Sequence, residues 1–418
     1  MNESQLLDPI QILYNHKDFT KDDAVLIVDN DIKAFGEEAR CLGKELSLNP
    51  IHSKEKILAP CLVDPHSILL EPFNSFTETI ASLRNKAASA GYGQIGLLPR
   101  SNLFRDRPER LLGFLDSKSN VSIHLWGSFS LDGEGLELSA HGELIDYGAI
   151  GLSDDSYILP TELLQKGFSL GEIKNSPVLL SPRDKYIQAN GIVREGINAL
   201  RAGWAPDPLT SETIPLSILL ELQRQYPETN IRLMNLSTSS GVSMLSQVST
   251  RPMATVSWWH LVADSSMTTS TEPGCKVIPS IGCEEDRRKL IEGLHDGILS
   301  GVAVHGIPLD DVDVKKPIDE RPEGVSGHHL VLPSLWQELV VKNKWTIQKL
   351  WEAISFGPSK IMSVSPEKLV KNSNRWLIFD PKKQWVQKVT KGNWPSTSNQ
   401  PYVGKTMTGK VTDCGLKT

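Results

Sequence analysis

The stretch ILAPCLVDPHS, residues 57–67, begins with an apolar run and turns polar at Asp64. Apolar residues fill positions 57–63 without alternation, which is typical of a β-strand that is buried on both faces. Asp64 and His66 would then lie at the carboxyl end of this strand. A metal-binding enzyme would often place a second histidine two residues after the first, but that position is Ile68.

Seven further short apolar runs follow, and longer segments separate them. The runs cover residues 94–99, 121–126, 148–153, 177–181, 231–235, 254–259 and 301–306. Apolar residues at helical spacing occupy the intervening segments 76–91, 211–227 and 284–297. Eight strands that alternate with helices predict an α/β fold, a (β/α)8 TIM-like barrel. An open doubly wound sheet is the alternative.

The two ends of the chain have a different pattern. Residues 23–36, DAVLIVDNDIKAFG, contain two short β patterns around a polar turn, and residues 374–389 are again β-like. We therefore expect both termini to build one small β-sandwich domain beside the barrel. The predicted organisation is 1–56 for its first part, 57–360 for the barrel and 361–418 for its second part and a tail.

Composition excludes several classes of function. The 418 residues carry a net charge of −6, which gives no electrostatic case for binding nucleic acid. No apolar run approaches the roughly 20 residues that a membrane helix needs, and MNESQLLDPI lacks the order of a signal peptide. The five cysteines form no CxxC pair. We predict a cytoplasmic protein with reduced thiols and no nucleic-acid or membrane partner.

The order of the segments resembles the dihydroorotase family of cyclic amidohydrolases. The motifs that carry the resemblance include VDPHSILLEP (63–72), GAIGLSDDS (148–156), VSWWHLVADSS (256–266) and LHDGILSGVAVHGIPL (294–309). The resemblance implies a metal-dependent hydrolase barrel with a small β domain from both termini. It also implies hydrolysis of a cyclic amide C–N bond in pyrimidine biosynthesis.

The resemblance also shows which of the family's functional positions have changed. The family's His-x-His metal pair falls on His66 and Ile68, and its later metal histidines fall on Ser181 and Asn235. Its catalytic aspartate falls on His305. A zinc that activates water needs about three protein ligands, and isoleucine, serine and asparagine replace imidazole poorly. The resemblance therefore implies a protein without hydrolytic activity and without a bound cofactor.

A rebuilt metal site is the alternative. His66, Asp155 and His305 could hold one zinc, with Asp154 as the other choice of carboxylate, because two histidines and a carboxylate can bind a divalent ion. An active, divergent cyclic amidohydrolase would follow. Otherwise the two histidines are polar residues hydrogen-bonded at the strand ends.

The family's substrate-binding positions have changed as well. Its arginine falls on Leu70, which cannot pair with a carboxylate, and its asparagine falls on Arg100. Trp259 and His260 follow the predicted seventh strand; they either stack on a ligand or fill the former pocket.

The resemblance suggests a partner. Non-catalytic homologues in this family are structural companions of aspartate carbamoyltransferase, so we expect that enzyme as a partner, together with a homo-oligomeric state.

Overall fold

The computed structural model describes residues 4–112, 120–154, 157–267, 269–388 and 395–417 of the chain. The strands in these ranges are β1 (Ser4–Leu13), β2 (Phe19–Val28), β3 (Asp31–Phe35), β4 (Ile51–Pro60), β5 (Leu62–Ser67), β6 (Tyr92–Leu97), β7 (Ser122–Ser128), β8 (Ala149–Asp154), β9 (Val178–Leu180), β10 (Val193–Arg194), β11 (Pro206–Asp207), β12 (Ile231–Leu233), β13 (Met253–Ser257), β14 (Gly301–Ala303), β15 (Trp376–Val386) and β16 (Thr406–Cys414).

The helices surround the strands. They are α1 (Gly36–Glu45), α2 (Ile80–Ala90), α3 (Glu109–Leu112), α4 (His141–Asp146), α5 (Thr161–Ser169), α6 (Lys185–Gln188), α7 (Ile197–Ala202), α8 (Thr210–Gln225), α9 (Ser239–Ser246), α10 (Trp258–Val262), α11 (Glu284–His295), α12 (Asp311–Lys315), α13 (His328–Leu335), α14 (Ile347–Trp351) and α15 (Gly357–Ile361). A 3-10 turn spans Leu131–Gly133, and π-helical segments span Trp336–Lys342 and Glu352–Phe356. No helix in the described residues is long and apolar enough to cross a membrane.

Eight parallel strands form the barrel in the order β5, β6, β7, β8, β9, β12, β13 and β14. Contacts just beyond the last strand close it: the amide of His305 donates to the carbonyl of His66 (3.1 Å), and the amide of Ile68 donates to the carbonyl of Gly306 (2.9 Å). Asp64 joins the same two strands, since its Oδ1 accepts from the amide of Val304 (2.9 Å). The predicted (β/α)8 barrel is confirmed, and the open sheet is wrong.

The inside of the barrel is filled by side chains. Val63, Leu98, Trp126, Leu179 and Met234 belong to one buried apolar cluster. The outer faces of the strands pack on the helices in a second, larger cluster. Burial on both faces explains why the barrel strands are continuous apolar runs in the sequence.

Two predicted strands differ from the observed ones. Residues 57–63 were expected to form one strand, but β4 ends at Pro60 in the small sheet and β5 begins at Leu62 in the barrel. Both parts are buried, so the sequence carries no polar break between them. Residues Trp258 and Trp259 lie in α10 rather than in β13, because the Ser257 side chain accepts from the amide of Trp259 and caps a helix there.

The small domain contains a six-stranded sheet in the order β16, β15, β4, β1, β2, β3. Strands from both termini therefore build it, as the sequence predicts. The turn between β2 and β3 places Asp29 and Asn30 at positive φ (52° and 65°), a conformation that Asp and Asn tolerate better than most residues. The predicted domain border between residues 56 and 57 lies within β4.

Candidate functional site

Five side chains meet at the carboxyl ends of the barrel strands, the end at which barrel enzymes carry their active sites. They are His66 of β5, Arg183 after β9, Asn235 after β12, Thr255 of β13 and His305 after β14, and each is at most 3% exposed. We call them the mouth cluster. Strands β9, β12, β13, β14 and β5 are successive neighbours around the barrel, which brings these residues to the same side of the mouth.

Direct hydrogen bonds connect four members of the mouth cluster. The Nδ1 atoms of His66 and His305 lie 3.1 Å apart, with the rings edge to face. Nε2 of His66 lies 2.9 Å from Oγ1 of Thr255, and the same oxygen accepts from the amide of Asn235 (2.8 Å). Sequence reasoning expected that His66 and His305 could both face the mouth, and the structure brings them together.

The positions of the histidine protons are assigned from the contacts of Thr255. The Thr255 hydroxyl has three possible acceptors: His66 Nε2 at 2.9 Å, Asn235 Oδ1 at 3.3 Å and Leu233 O at 3.5 Å. We assign the proton to the shortest contact. His66 then carries its own proton on Nδ1 and donates it to His305 Nδ1, so the proton of His305 stays on Nε2.

Both histidines are neutral in this arrangement. Burial lowers the pKa of His66 to about 4, although the charge of Asp64 opposes that shift. The pKa of His305 is lowered well below its ordinary value by burial first, and then by His66, Arg100 and Arg183.

Several donors of the mouth cluster remain unused. Nε and Nη1 of Arg183, Nδ2 of Asn235 and Nε2 of His305 are buried and have no hydrogen-bond partner in the described part of the chain. The third guanidinium nitrogen of Arg183 donates to Gln188 Oε1, and its Cζ lies 4.7 Å from the ring centre of Tyr157. The cluster therefore presents N–H groups rather than lone pairs.

The other positions that the resemblance assigned to metal ligands are not gathered into a site. Ile68 lies in the apolar cluster inside the barrel, with Leu98 and Ile307. Ser181 is buried at the end of β9. Asp155 lies outside the described residues. In the described ranges no group of three or more His, Cys, Asp or Glu side chains could hold a metal ion. The zinc site of the alternative prediction stays a prediction, because the structure brings His66 and His305 together but does not describe Asp155.

Asp154, the other choice of carboxylate, binds protein groups. Its Oδ1 accepts from Ser128 Oγ (2.7 Å) and the amide of Phe129 (2.9 Å), and its Oδ2 accepts from the amide and hydroxyl of Ser130. Burial raises the pKa of Asp154 to about 6, although these hydrogen bonds lower it. Asp154 thus holds the segment after β7 against β8.

The predicted substrate positions are spread over the mouth. Leu70 is 37% exposed and lines a cavity of about 480 Å³ between the loops after β5 and β6, outside the mouth cluster. Arg100 lines a separate cavity of about 450 Å³ with Asp154 and Tyr157. Leu70 and Arg100 therefore line two different cavities.

Trp259 and His260 bind protein atoms. Nε1 of Trp259 donates to the carbonyl of Gly274 (2.8 Å), and its ring packs on Trp258 and Tyr402. Nε2 of His260 contacts the carbonyl of Pro279 (3.1 Å), and burial lowers the pKa of His260 to about 4. These contacts favour the interpretation that both residues fill the former pocket.

Sequence reasoning missed Thr255 and Arg183. Thr255 is a polar residue in an otherwise apolar strand, and Arg183 stands two residues after Ser181, where a strand ends. Both signals are visible but weak. His328, the first residue of α13, is buried against Asp64. Its Nε2 lies 3.1 Å from Oδ2 of Asp64.

Comparisons with known proteins agree with this architecture. No family model matches the chain. A probable dihydroorotase-like protein of Synechocystis sp. is 31% identical over 398 residues, covering 86% of this chain and 88% of that protein. The dihydroorotase of Carboxydothermus hydrogenoformans is 24% identical over 363 residues, covering 85% and 84%.

Solved structures share the fold at lower identity. The L-hydantoinase of Arthrobacter aurescens superposes with a TM-score of 0.72 at 17% identity, over 98% of this chain and 94% of that one. A D-hydantoinase gives a TM-score of 0.74 at 16% identity, over 99% and 94%. The sequence relatives, together with the barrel and its small sheet, lead to one conclusion: the chain belongs to the dihydroorotase family of cyclic amidohydrolases.

Proposed function

We propose that this chain is a dihydroorotase-like protein without hydrolytic activity, which serves in pyrimidine biosynthesis as a structural partner of aspartate carbamoyltransferase. One observation carries the first half of the proposal. With the histidine protons assigned as above, the mouth cluster presents hydrogen-bond donors at the place where a water-activating zinc would need lone pairs.

The predicted inactivity follows from the lone pairs of His66 and His305, which a metal ion would need as ligands. A neutral imidazole offers one lone pair, and a metal must take it. The lone pair of His66 Nε2 receives the proton of Thr255, and that of His305 Nδ1 receives the proton of His66. Binding a metal would break both hydrogen bonds, and Ile68, Ser181 and Asn235 supply no imidazole to replace them.

A hydrolysis assay tests the inactivity. The purified chain, with zinc added, would be given dihydroorotate and, for the reverse reaction, carbamoyl aspartate. The dihydroorotase of Carboxydothermus hydrogenoformans serves as the active control under the same conditions. We expect turnover no faster than the uncatalysed reaction. Turnover that disappears in His66→Ala would contradict the proposal.

The partnership is supported by the family and by the surface. Leu103, after β6, is 66% exposed, and it lines one cavity with Leu70 of the loop after β5. Exposed apolar groups close together are typical of a surface that binds another protein.

Co-expression tests the partnership. The full chain would be co-expressed with the aspartate carbamoyltransferase of the same genome, and the mass of the purified species measured by light scattering. We expect one complex, weakened by Leu103→Asp and unchanged by Val312→Asp on the exposed face of α12. Separate elution of the two proteins would contradict the partnership, and the mass of the free chain reports whether it forms a homo-oligomer.

One observation favours the second candidate, an active amidohydrolase with a rebuilt mononuclear site. His66 and His305 meet at 3.1 Å, and a metal could replace the proton that they share. This candidate requires about one metal per chain and loss of that metal in His66→Ala. The zinc-supplemented hydrolysis assay separates the two candidates.

A further inference from the structure

The mouth cluster contains a buried positive charge that forms no ion pair in the described residues. Arg183 is 2% exposed, and none of its nitrogens forms an ion pair with a carboxylate in the described ranges. A buried guanidinium with unused N–H groups is strongly disfavoured unless something accepts from it. Such a group therefore points to an acceptor that the protein itself does not provide.

The carboxylates around this end of the barrel are already engaged. Asp207 pairs with Arg194 (3.1 Å), and Asp154 accepts from Ser128 and Ser130. Asp64 accepts from Ser67 Oγ (2.6 Å) and the amide of Val304. Asp207 still acts on the charge of Arg183 from beyond ion-pair distance, but burial has the larger effect and lowers the pKa of Arg183.

The remaining unused donors lie on neighbouring strands. β9 pairs with β12, and Leu180 lies opposite Leu233. Arg183 comes three residues after Leu180, and Asn235 comes two residues after Leu233. His305 joins Asn235 through His66 and Thr255. The charge of Arg183 also lowers the pKa of His305, so the two groups lie within electrostatic range of each other.

We propose that the mouth cluster binds a small oxyanion, a carboxylate or a phosphate, between Arg183, Asn235 and His305. An oxyanion has only acceptors. The three side chains offer it two guanidinium nitrogens, one amide nitrogen and, with the proton of His305 assigned to Nε2, one imidazole N–H. The site that holds cations in a metal-dependent hydrolase would here hold an anion. This inference goes beyond the proposed function, because it needs neither inactivity nor a carbamoyltransferase.

Calorimetric titration of the full chain tests the site. The protein, dialysed against a chelator to exclude metal, would be titrated with phosphate and with succinate. Controls are chloride at equal ionic strength and neutral succinamide. We expect saturable binding of phosphate or succinate and none of either control; the arm that binds identifies the chemistry. Equal heats from chloride and from both oxyanions would overturn the inference.

Two variants place the ligand. Asn235→Asp keeps the size of the side chain and replaces the donor with a negative oxygen, so at least a tenfold loss of affinity is expected. Asn372→Asp is the matched control, since Asn372 also has positive φ (58°, against 50° for Asn235) but is exposed. Arg183→Met should abolish binding. Affinity unchanged in Asn235→Asp and Arg183→Met would place the anion elsewhere and overturn the inference. If Arg183→Met fails to fold, Asn235→Asp decides alone.

The binding test is independent of the earlier proposal. Titration without metal or partner fails only if the anion site is wrong, whereas the hydrolysis and co-expression assays fail only if the proposed function is wrong.

Discussion

Two buried arginines at the same end of the barrel have opposite surroundings. Arg194 contacts Asp207 at 3.1 Å and Glu212 at 3.3 Å, and Ser211 and Ser237 bond to it as well. We call these five residues the arginine network. Arg183, in contrast, forms no ion pair in the described residues. The comparison teaches that burial alone does not define a role: a buried arginine paired with carboxylates stabilises the fold, and one without an ion pair is available for a ligand.

The arginine network should be the most sensitive to mutation. Glu212 also accepts from Ser237 and Thr238. Glu212→Ala therefore removes one of the two carboxylates that contact Arg194 and leaves several buried donors without this acceptor. We expect a loss of about 3–5 kcal/mol in the free energy of unfolding, measured by urea denaturation. Glu221→Ala, an exposed ion-pair position on the same helix α8, is the control and should leave stability almost unchanged. Equal effects would contradict the assigned role of the network.

Removing the hydroxyl at the centre of the mouth cluster should have a smaller effect. Thr255→Val keeps the shape of the side chain but leaves His66 Nε2 and the amide of Asn235 without a partner. We expect a loss of about 1–3 kcal/mol, measured in the same way. A neutral effect would show that Thr255 does not hold His66.

The buried histidines determine whether stability rises or falls with pH. The pKa values of His66 and His260 are lowered to about 4 in the folded state, so their contribution is present above pH 6.5 and is lost as the pH falls towards 4. Asp154 acts oppositely: its pKa is raised to about 6, and its contribution is lost as the pH rises through that value.

Because six histidines of the described residues have a lowered pKa and oppose Asp154, stability should fall on acidification from pH 6.5 to 4.5. His66→Gln should make the slope shallower, by at most about 1.4 kcal/mol per pH unit. His52→Gln, at an exposed position, is the control and should leave the slope unchanged. An identical slope in His66→Gln would contradict the burial of a neutral His66.

The smallest effect is expected at Arg183. In buffer free of oxyanions, Arg183→Met replaces an unpaired buried cation with an apolar side chain of similar length, so stability should stay within about 1 kcal/mol of the parent. Arg194→Met provides the contrast and should lose several kcal/mol. If both variants are equally destabilised, the distinction between the two arginines is wrong.

The barrel could be predicted from the sequence because burial on both faces leaves an unbroken apolar signal in each strand. The same signal hides boundaries, as between β4 and β5 around Cys61, where neither side turns polar. Helix faces were harder to assign. In α8, the apolar Ile214 is 46% exposed, whereas Leu216 and Leu219 are buried. A helix with apolar residues on adjacent faces does not reveal which face meets the barrel.

Of the candidate site, only the residues that directly follow the apolar strand runs could be predicted from the sequence. His66 and His305 follow apolar runs, and their meeting follows from the closure of a barrel between its first and last strands. The role of Thr255 depends on a hydrogen bond to a residue 189 positions away, for which one sequence carries no pattern. The same holds for Arg183, whose significance lies in the absence of a described counter-charge.

Zinc binding to the purified chain tests the central claim most directly. The protein would be dialysed to equilibrium against buffered zinc, and its metal content measured beside that of His66→Ala. In the assigned arrangement, the lone pair of His66 accepts from Thr255 and the lone pair of His305 accepts from His66. The account therefore predicts the same zinc content for both proteins, far below one zinc per chain. One zinc per parent chain, absent from His66→Ala, would contradict it.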